Sequence, residues 1–335
     1  MFQGKKILIT GGTGSLGQAL TKRLLKNDVE TIRIFSRNES KQIQMESEFN
    51  DPRLRFFLGD VRDKERLVRA VEDVDYVFHT AALKHVPKIE YNPFEAIKTN
   101  VIGSQNVIEA CLESNVEKAV GVGTDKAVSP LNTYGATKLL MEKLFVTANN
   151  YLNPKKYPTK FIALRYGNVL GSSGSVVPKF IEQLSGKNKI TITDPQMTRF
   201  SISMDDALSF ILKATEIGKG SEIFVPKLQA YTISDVKESL NEIFGDYGEE
   251  IVGIRPGEKL HETLINKDEM RYSWEYENVY MITNPLYPMF HPNVITDTYS
   301  GIKKIENMES YSSNNVAKIP KNNFKEILKQ SNLIS

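Results

Sequence analysis

The chain has 335 residues, about twice a typical domain of roughly 150, so its core needs no disulfide or structural metal. Charged residues make up 25% and hydrophobic ones 40%, which excludes wholesale disorder and a collagen-like repeat. The net charge of +2 supplies no global pull towards nucleic acid, and no nucleic-acid partner is expected. The single cysteine, Cys111, fits a reducing compartment. Ile7-Leu8-Ile9 is too short an apolar core for a targeting segment, and no stretch nears the roughly 18 apolar residues of a spanning helix. A cytoplasmic chain with no membrane partner is expected.

Strands and helices alternate over the first 170 residues. Lys5–Thr10 reads as a buried strand ending in glycines, and Gly14–Asn27 as a helix with Leu16, Leu20, Leu24 and Leu25 on one face. Thr31–Ser36 is a second strand and Ser40–Phe49 a polar helix. Leu54–Leu58 is a third strand, and Asp63–Val71 a helix that Asp63 can cap, with Glu65 suiting its positive end. Tyr76–Ala81, Ala119–Val122 and Phe161–Tyr166 read as strands four to six, separated by long helices over Pro93–Ser114 and Thr133–Asn149. This order predicts an α/β, Rossmann-type doubly wound parallel sheet. Ligands then belong at the carboxyl ends of its strands.

Beyond Gly171 the pattern loosens. Helices are predicted over Pro178–Ser185 and Met204–Gly218, and short strands at Ile190–Ile192 and Glu222–Val225. An irregular segment over 284–297 carries Pro285, Pro288 and Pro292, and a Ser/Asn/Lys-rich tail follows. Residues 1–170 are predicted to form a dinucleotide-binding domain, with some later segments returning to it. Residues 171–335 are predicted to form a smaller α/β substrate lobe and tail.

Gly11-Gly12-Thr13-Gly14-Ser15-Leu16-Gly17 lies between the first strand and the first helix. Gly11 permits the tight turn, Gly14 lets backbone approach a pyrophosphate, and Gly17 lets helix pack on strand. Thr13, Ser15 and Leu16 bring amide groups to the helix start, where negative charge is favoured. Glycine spacing alone marks only a turn; its place between strand and helix marks a nucleotide site. The second strand ends in Ser36-Arg37, with Lys41 nearby, where an NAD site places a carboxylate on the ribose. A guanidinium there pairs with a 2′-phosphate, so NADP is expected. Asp60-Val61 is placed for the adenine edge, and Ala81-Ala82 is small enough for the cofactor to pass.

After the fifth strand comes Thr124-Asp125-Lys126, then Tyr134-Gly-Ala-Thr-Lys138. Tyr134 and Lys138 share a helix face four residues apart. A neighbouring ammonium is expected to lower the tyrosine's pKa, so that Tyr134 takes a proton from a sugar hydroxyl while a nicotinamide takes hydride. The histidines form no metal pattern: His79 and His85 are six apart, and His261 and His291 are remote. His79 reads as a core residue. No GxSxG element supports a serine hydrolase.

These stretches resemble an extended short-chain dehydrogenase/reductase and, more narrowly, the inverting UDP-N-acetylglucosamine 4,6-dehydratases of pseudaminic acid synthesis. The resemblance is carried by ILITGGTGSLG, EFNDPRLRFFLGDVRD, AALKHVP, GTDKAVSPLNTYGATK, RYGNVLGSSGSVVPKF, ITDPQMTRF, EIFVPK and IRPGEKLHE. It implies oxidation of the sugar at C4 by NADP, with Lys126 removing the C5 proton and Asp125 protonating the departing C6 hydroxyl. Hydride then returns to C6, and C5 is reprotonated on the opposite face. Thr124 would polarise O4, and Lys126 must be neutral, so a lowered pKa is expected. Arg199 and Arg255 suit the diphosphate of a UDP-sugar, and Asn168, just after the sixth strand, a phosphate or sugar hydroxyl. The resemblance adds Lys84 for cofactor and sugar, Val169 for the cofactor, Glu258 for uridine or ribose hydroxyls and Asn315 for substrate. It also implies a homo-oligomer packed through helices 93–114 and 133–149. Gly123 departs from the family's usual Ser, and altered positioning of Thr124 is expected.

Three other readings compete. A non-inverting dehydratase shares the whole machinery. A nucleotide-sugar 4-epimerase shares the fold and the Tyr/Lys pair but has no use for Asp125-Lys126. A non-catalytic NADP-binding regulator has no use for the intact Thr124, Asp125, Lys126, Tyr134 and Lys138. Function depends on geometry beyond sequence.

Overall fold

Alternate residues of a strand face opposite sides of its sheet. In β1 (Lys6–Thr10), Ile7 and Ile9 join one buried cluster and Leu8 another. The first cluster lies under the helices α1 (Ser15–Leu24) and Met204–Ile217, through Leu20, Leu24, Leu208 and Ile211. The second lies under Lys64–Val71, Gly103–Glu113 and Thr133–Thr147, through Leu67, Val107, Met141 and Phe145. The sheet is thus covered on both faces, the setting in which parallel strands are stable. The computed structural model describes residues 1–151, 153, 155–171, 175–286, 295–331 and 333–334.

The main sheet has ten strands. After β1 come β2 (Thr31–Ser36), β3 (Leu54–Leu58), β4 (Tyr76–His79), β5 (Lys118–Val122), β6 (Lys160–Leu164), β7 (Glu222–Pro226), β8 (Ser273–Tyr276), β9 (Val279–Thr283) and β10 (Lys303–Lys304). Their spatial order is β10-β8-β9-β7-β6-β5-β4-β1-β2-β3. Pairing is parallel from β3 through β7 and antiparallel from β7 onward. The order reverses between β1 and β4, which opens the crevice where such sheets bind ligands. Asp63 accepts from the Arg66 amide at 3.0 Å and caps its helix as its position predicts.

Strands β7 to β10 come from 222–304 and extend the same sheet, so segments beyond residue 170 return to it. The second half adds its own apolar cluster, in which Val177, Phe180 and Leu184 pack with Val236, Leu240, Phe324 and Leu328. Two helices there, Ile233–Phe244 and, within the tail, Lys321–Gln330, are not among the predicted elements. The first carries a reciprocal cap between Thr232 and Asp235. The predicted helix Pro93–Ser114 is interrupted: Ile97–Ile102 winds as a π-helix between Pro93–Ala96 and Gly103–Glu113. There the Asn100 side chain bonds both Leu83 backbone groups and Thr137 Oγ1. Pro288, His291 and Pro292 lie outside the described residues. Among the described residues no helix is long and apolar enough to cross a membrane, and no His/Cys/Asp/Glu cluster suits a metal.

Candidate active site

The glycine loop leaves β1 with Gly11 at φ +68°. A Cβ on Gly11 would lie 2.8 Å from Ala81 Cα, and one on Gly17 2.6 Å from Gly12 Cα and O. Only glycine lets the turn, the first helix and the end of β4 close together here. Gly14 stands at the N-cap of α1, so the helix start faces the crevice. A cavity of about 290 Å³ opens beside the loop, lined by Gly11, Thr13, Gly14, Ser36, Arg37, Lys41, Asp60, Val61, Ala81 and Ala82. The donors and the glycine cradle fit a dinucleotide. Ser15, Leu16 and Gly17 continue into the helix. Lys84 is exposed after β4, and Val169 bridges to Ile202 beyond β6.

Arg37 is half exposed and reaches Asp60 Oδ2 at 3.4 Å. Both Asp60 oxygens are engaged by Arg62, at 3.0 Å from its amide and 2.7 Å from Nη2. Burial pushes the Asp60 pKa up, but the Arg62 bonds and the Arg37 charge outweigh it and leave it lowered. Asp60 therefore holds arginines at the cavity mouth besides lining it. Thr99, held in the π-helical stretch, lines the same cavity with a buried hydroxyl that has no protein partner. Sequence reasoning missed Thr99, because nothing in a local pattern announces a π-turn.

The second centre lies past β5. Thr124 Oγ1 bonds Asp125 Oδ1 at 2.8 Å and caps the short turn Asp125–Ala127. Lys126 Nζ bonds Asp125 Oδ1 at 3.1 Å and Asn168 Oδ1 at 3.2 Å. Asp125 is 1% exposed. The helix carrying Tyr134 and Lys138 crosses this turn so closely that a Cβ on Gly135 would sit 2.1 Å from the Lys126 carbonyl oxygen. That contact explains the glycine in Tyr-Gly-Ala-Thr-Lys and joins the two motifs in space.

Two electrostatic expectations are overturned. Burial lowers the Lys126 pKa, but the charges of Asp125 and Glu262 outweigh it and hold the ammonium well above its ordinary range. The Tyr134 pKa is raised, chiefly by burial, and the cation that opposes this is Lys126 rather than Lys138. Lys138 is buried, donates to the Val122 carbonyl at 2.6 Å, and falls to about 8 through burial, partly opposed by Glu142. Nearness in sequence points to the wrong cation, because Lys138 aims its amine at the strand.

The substrate-side predictions fare differently. Asn168 stands beside Lys126. Arg199 bonds the Thr198 and Leu260 carbonyls at 2.8 and 3.1 Å, and its Nε lies 3.7 Å from Glu262. Arg255 is exposed and pairs with Glu258 at 3.7 Å. Their loop docks beside the second centre, with Asn132 donating to the Gly257 carbonyl at 2.8 Å and Lys259 bonding Val128. Asn315 spends its amide on its own turn, accepting from the Ser312 amide at 3.0 Å and donating to Ser310 at 2.8 Å. Both ends of its amide are thus engaged within its own turn. His79 is buried between Thr10 and Ser104, at 2.8 and 3.0 Å, and burial lowers its pKa to about 3. Sequence reasoning also missed Glu262, the last residue of Arg-Pro-Gly-Glu-Lys-Leu-His-Glu. The motif is visible in the sequence, but its burial against Lys126 is not.

A family model described as polysaccharide biosynthesis protein matches residues 7–284. The UDP-N-acetylglucosamine 4,6-dehydratase (inverting) of Campylobacter jejuni is 49% identical over 319 residues, covering 94% of each chain. The UDP-glucose 4-epimerase of Rickettsia felis is 42% identical over 335 residues, covering 98% of this chain and 96% of that one. The solved structure of Pen from Bacillus thuringiensis is 36% identical and matches the whole of both chains with a TM-score of 0.90.

Proposed function

We propose that this chain, which belongs to the polysaccharide biosynthesis protein family, is a cytoplasmic UDP-N-acetylglucosamine 4,6-dehydratase that inverts C5. Its product would be UDP-2-acetamido-2,6-dideoxy-β-L-arabino-hex-4-ulose, which the resemblance assigns to pseudaminic acid synthesis. The observation that carries the reading is the amine–carboxyl pair of Lys126 and Asp125, 3.1 Å apart beside Thr124 and the Tyr134 helix. The 49% identical Campylobacter relative supports it. The Rickettsia relative's name favours a 4-epimerase, but exchange at C4 alone leaves that pair without work.

The cradle takes a nicotinamide dinucleotide; Ser36, Arg37 and Lys41, with no carboxylate at the end of β2, support NADP over NAD. A nicotinamide held there would supply a hydride acceptor for C4 and a hydride donor for C6. Tyr134 first gives up its phenol proton to solvent, which burial resists and the Lys126 charge assists; it then receives the O4 proton, and Thr124 bonds the developing carbonyl. The resting pair is an ammonium and a carboxylate. Moving one proton from Lys126 Nζ to Asp125 Oδ1 makes an amine and an acid with no change in total charge. The amine then removes the C5 proton, which the 4-ketone has acidified, and the acid protonates the departing C6 hydroxyl. Arg199 and Arg255 hold the diphosphate. Tyr91, Phe94 and Leu140 stand exposed on neighbouring helices Val86–Tyr91, Pro93–Ala96 and Thr133–Thr147, which supports a homo-oligomer joined through that face.

The test is incubation with UDP-N-acetylglucosamine in deuterium oxide, read by proton NMR. The expected product is a 4-keto-6-deoxy sugar with deuterium at C5 in the L-arabino configuration. A 4-keto product that keeps its original C5 configuration refutes inversion, and recovery of only the C4 epimer refutes dehydration.

A further inference from the structure

Glu262 has no role in the chemistry above, yet it borders both halves of the site. Its side chain is 5% exposed. Oε1 lies 3.9 Å from Lys126 Nζ and 3.7 Å from Arg199 Nε. Oε2 is buried with no hydrogen-bond partner. The residue is fixed from behind: its amide donates to Ser313 Oγ at 2.9 Å, and its carbonyl accepts from Ser312 Oγ at 3.0 Å. The groups that act on its charge are Asp125, Lys126, Arg199 and Lys259. Tyr231 also feels it.

A buried carboxylate with one unpaired oxygen is costly unless cations compensate it or a proton neutralises it. Here the compensation comes from Lys126, Arg199 and Lys259, and Arg199 is the expected clamp for the substrate diphosphate. We propose that Glu262 is a positioning residue that couples substrate seating on Arg199 to the readiness of Lys126 to act as a base; this rests on the nucleotide-sugar reading above. As the diphosphate draws on the guanidinium, Glu262 loses part of its counter-charge. Its carboxylate then takes one proton from bulk water, forming an O–H bond and becoming neutral. Lys126 is left with Asp125 as its one carboxylate partner within 4 Å, and its ammonium gives up its proton more readily. Burial, followed by the charge of Asp125, already biases Glu262 towards the protonated form. The effect of removing a charge about 4 Å away is on the order of one to three pH units at the effective dielectric of such sites.

The experiment is calorimetric titration of the full-length protein with UDP near pH 7, in two buffers of different ionisation heat. The dependence of the heat on buffer gives the number of protons taken up. Wild type is expected to take up between half a proton and one proton more than Glu262→Gln, whose amide cannot titrate. Arg199→Gln is the second variant: Glu262 is then already neutral, so its excess uptake also vanishes, whether or not Glu262→Gln folds. Equal proton numbers in wild type and either folded variant overturn the coupling. If UDP does not bind wild type at all, the nucleotide-sugar reading fails, and the coupling fails with it for that separate reason.

Discussion

Gly123→Ser should unsettle the protein although it restores the residue that the family resemblance implied. A Cβ at position 123 would lie 2.4 Å from Glu142 Oε1 and 2.4 Å from the Leu164 carbonyl oxygen. Leu164 O cannot retreat, because it belongs to β6 and accepts from the Gly123 amide at 2.6 Å. Glu142 cannot retreat cheaply either. It bonds Arg165 Nε at 3.2 Å and Nη2 at 2.7 Å, and both side chains are fully buried. Overpacking costs about 1–3 kcal/mol and a loosened charged hydrogen bond roughly 1.5–3 kcal/mol, so the expected loss is about 3–5 kcal/mol. The assay is the urea midpoint followed by circular dichroism, with Glu142→Ala combined in a double-mutant cycle. The double variant should be more stable than the sum of the singles by about 1–2 kcal/mol, since one of the two clashes is gone. A Gly123→Ser protein within about 0.5 kcal/mol of wild type would refute the reasoning, being no more than an ordinary surface change.

Lys126→Ala should abolish C5 deuterium exchange and leave NADP affinity within about twofold, read by fluorescence titration; persisting exchange would remove Lys126 as the base. Arg37→Asp should weaken NADP by about 10- to 100-fold, the worth of a charged hydrogen bond, while NAD binding holds; equal losses for both would remove the 2′-phosphate argument. Glu222 is buried, accepts from the Tyr299 hydroxyl at 2.6 Å, and is pushed by burial from 4.5 up to about 7. The folded state therefore binds this proton more tightly than the unfolded chain. Its contribution to stability is full below about pH 4.5 and is lost as pH rises through about 7. Glu222→Gln should gain on wild type by something on the order of 3 kcal/mol between pH 4.5 and pH 8, so urea midpoints that shift in parallel across that range would contradict it.

The first half of the fold was legible because its signals are local. Ile7-Leu8-Ile9 and Leu54–Leu58 are short apolar runs closed by glycines, and Asp63 announces a helix start. The second half was less so. The hairpin Ser273–Tyr276 and Val279–Thr283 turns at Glu277-Asn278, both at positive φ, without the glycine that usually advertises such a turn. The cap Thr232-Ile-Ser-Asp235 is a local signal too, and Ile233, Val236 and Leu240 follow it at helical spacing, so this helix was legible, though not among the predicted elements. At the site, the strand-end rule located Gly11, Arg37, Asp60 and Lys126. It gave no access to Glu262 or Thr99, whose importance comes from neighbours far away in the chain. The charge states were the least legible part: at Lys126 burial is outweighed by Asp125 and then Glu262, and the second of these lies far downstream in the chain.

The serines that anchor Glu262 are numbers 312 and 313. They lie 50 and 51 residues downstream of it. The bracing of this buried carboxylate is therefore a long-range contact, and a chain shortened before residue 312 would leave Glu262 unanchored.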